Sequence, residues 1–302
     1  MTIFLPVAGI DINLFLLIGV GAFVGFVQGL LGSGGFLLTP LLIMMGVNPA
    51  VATASGINAI VGASVSGTYT HLKAGHVDVK MGLLMLAGGV AGGGIGTILV
   101  KILRAMGNLD VVIILCYVVF MAVIGVIMFV EGLSSRVKGE EGSRGSSAVL
   151  KWMGRMPFQM HFKVSDVETS ALAPLFLGGF VGILAAVMGV GGGFFLIPAM
   201  TFLLDMPMQV VVGTVLFQML FTSGSVTFMQ AAVNHNVDAI LAAVLLVGST
   251  LGAQMGARLV RRLKADQLKV AFSLMVMAMS IKMLNDLLVS PAFFLVELGA
   301  RR

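Results

Sequence analysis

Long reaches of this chain carry almost no charge, and that limits what it can fold into. Residues 1–72 hold one charged side chain, Asp11, and residues 170–257 hold two, Asp205 and Asp238. A soluble domain carries roughly 25% charged residues. This chain of 302 residues has 10%, against 58% hydrophobic, and a mean hydropathy of +1.08. Runs of about 20 apolar residues read as membrane-spanning helices. The expected class is therefore an all-α polytopic membrane protein. No Lys or Arg precedes the first apolar run, which argues against a cleaved signal peptide. The lone Cys116 excludes an intrachain disulfide. The net charge of +5 is spread over loops, as in a bacterial inner-membrane protein rather than a nucleic-acid binder.

The apolar segments fall near 12–31, 36–46, 49–70, 79–100 and 110–131, then near 170–189, 193–204, 207–230, 237–257 and 267–289. Five helical segments are expected in each half. Residues 1–131 form a first transmembrane repeat, 132–169 a polar cytoplasmic linker, and 170–302 a second repeat. The first part of the linker, rich in Gly, Ser and charge, reads as mobile. Its later stretch "LKWMGRMPFQMHF" is amphipathic enough to lie on the membrane surface. The halves correspond residue by residue. Val77-Asp78 answers to Val237-Asp238, and Gly88, Gly92 and Gly96 answer to Gly248, Gly252 and Gly256. Ser55, Ser64, Ser66 and Thr68 answer to Thr214, Ser223, Ser225 and Thr227. Glycines four apart let helix backbones approach closely in lipid.

Loop charge orients the repeats. If they are inverted, Lys73, Lys80, the basic residues of 132–169 and the Arg258–Lys264 group share one side. Lys101, Arg104, Arg301 and Arg302 share the other. Parallel repeats would divide the charge more evenly, so the positive-inside rule favours inversion, with both termini outside.

Two glycine clusters, "LLGSGGFLLTP" at 30–40 and "MGVGGGFFLIP" at 188–198, interrupt these oily runs. Backbone broken at membrane depth must be buried in protein or line a wet cavity. Each cluster leads into an apolar run too short to cross the bilayer, and so into a half-helix. A helix N-terminus offers free amides and a positive dipole end to an anion. The candidate substrate contacts are Ser33, Gly34 and Gly35 with Gly191, Gly192 and Gly193. The following helices add neutral donors: Ser55 and Asn58 in the first half, Thr214 and Gln218 in the second, each pair on one helical face. The same glycines also suit close packing, and the same hydroxyls suit bonding back to their own helix. The sequence leaves those alternatives open.

His71 and His76, either side of Lys73, and His235 in "NHNVD" read as interfacial and are the candidates for proton coupling. His161 reads as solvated. Lys282 and Asp286 read as an i, i+4 pair snorkelling to the interface. No cysteine–histidine set, HExxH or GxSxG motif is present, so neither metal nor nucleophilic catalysis has candidate residues. No enzyme activity and no cofactor are expected.

The stretch "GLLGSGGFLLTPLLIMMGVNPAVATASGINAIVGASVSGTYTHLKAGHVD" resembles the signature half of the TauE/SafE family of membrane permeases, also called sulfite exporters. "GILAAVMGVGGGFFLIPAMTFLLDMPMQVVVGTVLFQMLFTSGSVTFMQ" resembles its second copy. The resemblance covers nearly all of the chain outside 132–169. Where the family often has three glycines, this chain has Gly32-Ser33-Gly34-Gly35. The resemblance implies a secondary transporter of sulfite, organosulfonates or related sulfur oxyanions, working by alternating access between the two repeats. Uptake of another organic or sulfur anion, an anion channel, and a membrane enzyme are the competing classes. The expected partners are a small anionic substrate, the lipid bilayer, a coupling proton or ion, and a second copy in a homodimer, with no nucleic acid.

Overall fold

A computed structural model describes residues 2–120, 122–123, 158–204 and 206–260, with 274 and 277. In chain order the elements are β1 (Thr2–Leu5), β2 (Ile10–Asn13), α1 (Leu14–Leu31), α2 (Gly35–Met44), α3 (Pro49–Lys73), α4 (Val79–Ala105) and α5 (Leu109–Phe120). The second half follows with β3 (Gln159–Phe162), β4 (Val167–Ser170), α6 (Leu172–Met188), α7 (Gly193–Leu203), α8 (Met208–Asn234) and α9 (Ala239–Val260). Among the described residues α1, α3, α4, α8 and α9 are long and apolar enough to cross a bilayer. The protein is a multi-pass membrane protein.

Among the described residues helices form where the apolar runs predict them, and their ends follow local chemistry. Asn13 and Asn48 cap α1 and α3 by accepting from Phe15 N–H and Ala50 N–H. Gly32, at φ 75°, closes α1, and Gly189, at φ 71°, closes α6. The second break is one residue longer, with Gly191 and Gly192 also left-handed at φ 67° and 77°. After these breaks α2 runs for 10 residues and α7 for 11. At 1.5 Å per residue that is about 15–17 Å, half a bilayer core.

The all-α reading lacks two small antiparallel hairpins. β1 pairs with β2 from Thr2↔Asn13 to Leu5↔Ile10, and β3 with β4 from Gln159↔Ser170 to Phe162↔Val167. Each precedes the first long helix of its half of the chain. Four-residue strands give too little alternation to be read from sequence, and "TIFL" shares no residue in register with "QMHF". Residues 159–162, the end of the stretch expected on the membrane surface, form a strand. Residues 132–157, Lys282, Asp286 and nearly all of the segment 267–289 lie outside the described residues, as does Asp205.

Packing interlocks the halves. α1 lies against α9, where Cβ atoms built on Gly21, Gly25 and Gly29 would meet Leu245, Ser249 and Ala253. Those built on Gly248, Gly252 and Gly256 would meet Ile18, Ala22 and Phe26. α4 lies against α6 in the same way: Gly88, Gly92 and Gly96 face Leu175, Gly179 and Ile183. Numbers rise together across each seam, so α1 runs with α9 and α4 with α6. Asn58 and Ser66 of α3 donate to Ala242 and Thr250 of α9, which makes α3 parallel to α9. Gly82, Gly89 and Gly93 of α4 face Phe217, Thr222 and Val226 of α8, again in parallel. Across α3 and α8 the order reverses, with His71 beside Gly213 and Gly67 beside Leu216. Hence α1, α3 and α9 point one way, and α4, α6 and α8 the other. Lys73, Lys80 and Arg258 fall at one end of the bundle. Lys101 and Arg104 fall at the other, where Arg104 donates to the Asn234 carbonyl and to Asn236 Oδ1.

Candidate functional site

The two glycine breaks meet where α3 crosses α8. A Cβ on Gly35 would stand 2.6 Å from the Val190 carbonyl oxygen, and one on Gly193 2.7 Å from the Gly32 carbonyl oxygen. These two contacts exchange under the residue correspondence between the two halves of the sequence. Nothing larger than glycine fits at either tip. Behind the tips stand Ile60 of α3 and Met219 of α8, themselves equivalent positions. A Cβ on Gly191 would lie 2.7 Å from Met219 Cε and 3.0 Å from Ile60 Cγ2. Among the described residues, the N–H groups of Gly34, Gly35, Gly191, Gly192 and Gly193 find no acceptor; the bonds made here close the helices, such as Leu37 N–H to Gly34 and Leu196 N–H to Gly192. Ser33 is fully buried and its Oγ has no hydrogen-bond partner. A buried hydroxyl without a partner is uncommon and calls for an explanation.

The structure therefore brings together Ser33, Gly34, Gly35, Gly191, Gly192 and Gly193. It does not bring the other four candidates to them. Ser55 Oγ accepts from Asp238 N–H at 2.8 Å, and Thr214 Oγ1 accepts from Asp78 N–H at 3.0 Å. Asn58 donates to Ala242 of α9 at 3.4 Å. Gln218 donates to Thr222 at 2.8 Å and faces α4 at Gly89, leaving its own Oε1 buried and unpartnered. Ser55 and Thr214 thus tie the starts of α9 and α4, at opposite ends of the bundle.

Those starts form a second matched pair. Asp78 caps α4 through Oδ1 to Met81 N–H, and its Oδ2 accepts from Ser165 N–H and Oγ in the β3–β4 turn. Asp238 caps α9 through Oδ1 to Ile240 and Leu241 N–H, and its Oδ2 accepts from Val7 N–H, with Ala8 N–H at 3.4 Å, in the β1–β2 turn. Each hairpin is pinned by a carboxylate from the other half of the chain. In the sequence both aspartates are legible only as matching landmarks, Val77-Asp78 and Val237-Asp238, and not as caps.

Three further side chains serve the breaks. Tyr117 of α5, fully buried, donates through Oη to the Met188 carbonyl at 2.7 Å, and Thr39 donates to the same oxygen at 3.5 Å. Gln28 of α1 donates to Ser64 Oγ at 3.0 Å and to the Ile60 carbonyl at 3.2 Å. A tyrosine within an apolar helix is a readable signal, because a buried phenol needs a partner. His71, expected at the interface, is buried, while His235 is exposed and ends α8 in the left-handed region. His161 is half-exposed and pairs across its hairpin with Glu168 at 3.8 Å. Such an exposed pair contributes little.

A family profile described as "Sulfite exporter TauE/SafE" matches residues 17–283. The chain belongs to this family. A "Probable membrane transporter protein" of Xylella fastidiosa (strain 9a5c) is 28% identical over 274 residues, covering 89% of this chain and 94% of that protein. The "Probable membrane transporter protein YunE" of Bacillus subtilis (strain 168) is 26% identical over 265 residues, with 82% and 89% coverage. YjnA of the same organism, described in the same words, is 24% identical over 270 residues, with 87% and 97% coverage. No solved structure matches the chain. As a TauE/SafE member with several candidate spans, the protein is a membrane transporter.

Proposed function

We propose that this TauE/SafE protein is a secondary transporter that exports a small sulfur-containing oxyanion, such as sulfite or an organosulfonate, across the bacterial inner membrane. The substrate class and direction come from the family's description. The observation that carries the mechanism is the meeting of two broken hairpins, related by the repeat, at the crossing of α3 and α8. Opposed helix directions in the two halves support inverted repeats, the architecture in which two half-helix ends form a site near the midplane. The basic end, with Lys73, Lys80 and Arg258, is then cytoplasmic. The unpaired amides of the tips and the Ser33 hydroxyl are neutral donors suited to an oxyanion that must also leave. In the state described the tips are in contact, so loading requires them to part, and rocking of one repeat against the other supplies that motion. The homodimer remains an expectation of the sequence alone.

The test is flux of labelled sulfite into proteoliposomes. A carrier gives saturable flux and counterflow; flux without saturation or counterflow would instead mean a channel. Ser33→Ala, which keeps the shape and removes one donor, is expected to weaken binding of the anion by about 1.5–3 kcal/mol, the range for a hydrogen bond to a charged group. Substrate-induced thermal stabilisation of the purified variant measures it. Undiminished sulfite stabilisation in Ser33→Ala would move the anion away from the first tip.

A further inference from the structure

The two ends of the bundle are built from the same parts: a capping aspartate, a hydroxyl from the crossing helix and a hairpin turn. Among the differences between them, two bear on proton binding. The spacing that relates Ser55 to Thr214 pairs His71 with Gln230, and the spacing that relates Asp78 to Asp238 pairs His76 with Asn236. Left-handed Gly75 and His235 close the two helices at matching positions and support that pairing. At these two positions one end has imidazoles and the other amides; the other end's own imidazole, His235, is exposed and stands where this end has Gly75. Both amides are committed to the fold: Gln230 donates to the Ala186 carbonyl at 2.8 Å, and Asn236 accepts from Arg104. An imidazole ordinarily changes charge within the physiological pH range, and an amide never does.

The imidazoles stand where proton uptake can act. Their ring centroids are 6.0 Å apart, with His71 buried and His76 half-buried. A Cβ on Gly213 would meet the His76 carbonyl and His71 Cβ, so the pair sits against the first turns of α8. The stretch Met208–Leu216 brings no charge. On α3, exposed Lys73 lies over the Tyr69 ring at 4.4 Å. Lys80 on α4, Arg258 on α9, and Lys163 and Asp166 in the β3–β4 turn are all exposed. Among the described residues the buried charge at this end is Asp78, two residues beyond His76.

We propose that the His71–His76 pair is the binding site for the coupling proton of the transport cycle. The proposal rests on the carrier reading above and names its coupling ion. A proton from the aqueous face adds to one imidazole nitrogen and gives a +1 charge within the fold at this end; the imidazole at the other end, His235, is exposed, where water and salt screen its charge. That charge offers the Asp78 carboxylate a cationic partner in competition with the neutral N–H and O–H of Ser165, and so loosens the β3–β4 hairpin. The Asp238 end, with Gln230 and Asn236 at these positions and His235 exposed, has no sheltered imidazole and does not respond. Release of the same proton restores the hold on Ser165.

Two measurements test this in the full chain. The first needs no substrate: hydrogen–deuterium exchange at Ser165 N–H and Val7 N–H, corrected for intrinsic exchange. Between pH 7.5 and 5.5 protection at Ser165 should fall up to about tenfold, with Val7 unchanged. His71→Gln with His76→Asn, which installs the side chains of the other end, should abolish the fall. The second uses ethanesulfonate, which stays anionic throughout this range, together with sulfite, in proteoliposomes. Each unit of imposed pH gradient should drive up to about tenfold accumulation per coupled proton in the wild type. The double variant should retain counterflow at equal pH and lose the response to the gradient. Equal loss of protection at Val7, no loss at Ser165, or loss persisting in the double variant overturns the proposal. So does gradient-driven accumulation in a double variant that melts like the wild type. Absence of saturable flux of either anion would instead count against the carrier reading, while the exchange result still decides the proton site.

Discussion

Gly92→Ala and Gly252→Ala are each expected to lower stability by about 1–3 kcal/mol or more, the range for overpacking. Gly94→Ala should leave it unchanged. An added Cβ on Gly92 would run into the Gly179 carbonyl, and one on Gly252 into the Ala22 carbonyl. Both obstacles are backbone, which cannot turn aside as a side chain can. Gly94 sits two residues away on another face of α4, where the nearest atom is Met229 Sδ at 4.0 Å. In lipid there is no hydrophobic driving force to press two helices together, so this close backbone contact is itself the attraction. Leucine at either site should prevent assembly of the seam. Melting in detergent, followed by size-exclusion fluorescence, separates the variants. Indistinguishable melting of Gly92→Ala and Gly94→Ala would mean that the α4–α6 seam is not as close as described.

Asp238→Ala is the second large effect. The side chain is fully buried and accepts from the amides of Val7, Ile240 and Leu241, with Ala8 at the edge of bonding distance. Loss of an N-cap costs about 0.5–2 kcal/mol, and an amide left buried without its acceptor costs about 1–3 kcal/mol. The variant should melt several degrees lower, and the segment 2–13 should become open to protease. Asp238→Asn, keeping one oxygen, should recover part of the loss. Asp78→Ala should do the same to residues 159–170. A wild-type proteolysis pattern in Asp238→Ala would show that the carboxylate does not hold the hairpin.

Much of the architecture was legible because it is written in residue types with few alternative uses. A glycine cluster between apolar runs means broken backbone, and α2 and α7 begin where the clusters at 32–35 and 189–193 end. Glycines four apart on α4 and α9 mean a close seam, though sequence cannot say against what; the partners are α6 and α1 of the opposite halves. Ser55 and Thr214 were harder. Their hydroxyls suit an anion as well as a helix start, and only the fold shows that α9 and α4 begin beside them. Ile60 and Met219 went unnoticed because apolar residues that touch a site look like apolar residues that face lipid. His71 seemed interfacial from its place near the end of α3, yet α8 starts at that level and covers it. The hairpins escaped because four residues carry no readable period.

The exchange of partners between halves has a consequence for how the chain is made. α1 is among the first elements to leave the ribosome, but the surface that its glycines fit belongs to α9, more than two hundred residues later. At 5–20 residues per second α1 waits roughly 10–45 s for that surface. During this time Gly21, Gly25 and Gly29 face lipid or an insertion chaperone. A gene cut within 132–157 should therefore yield two fragments that are each degraded when expressed alone and that accumulate when expressed together.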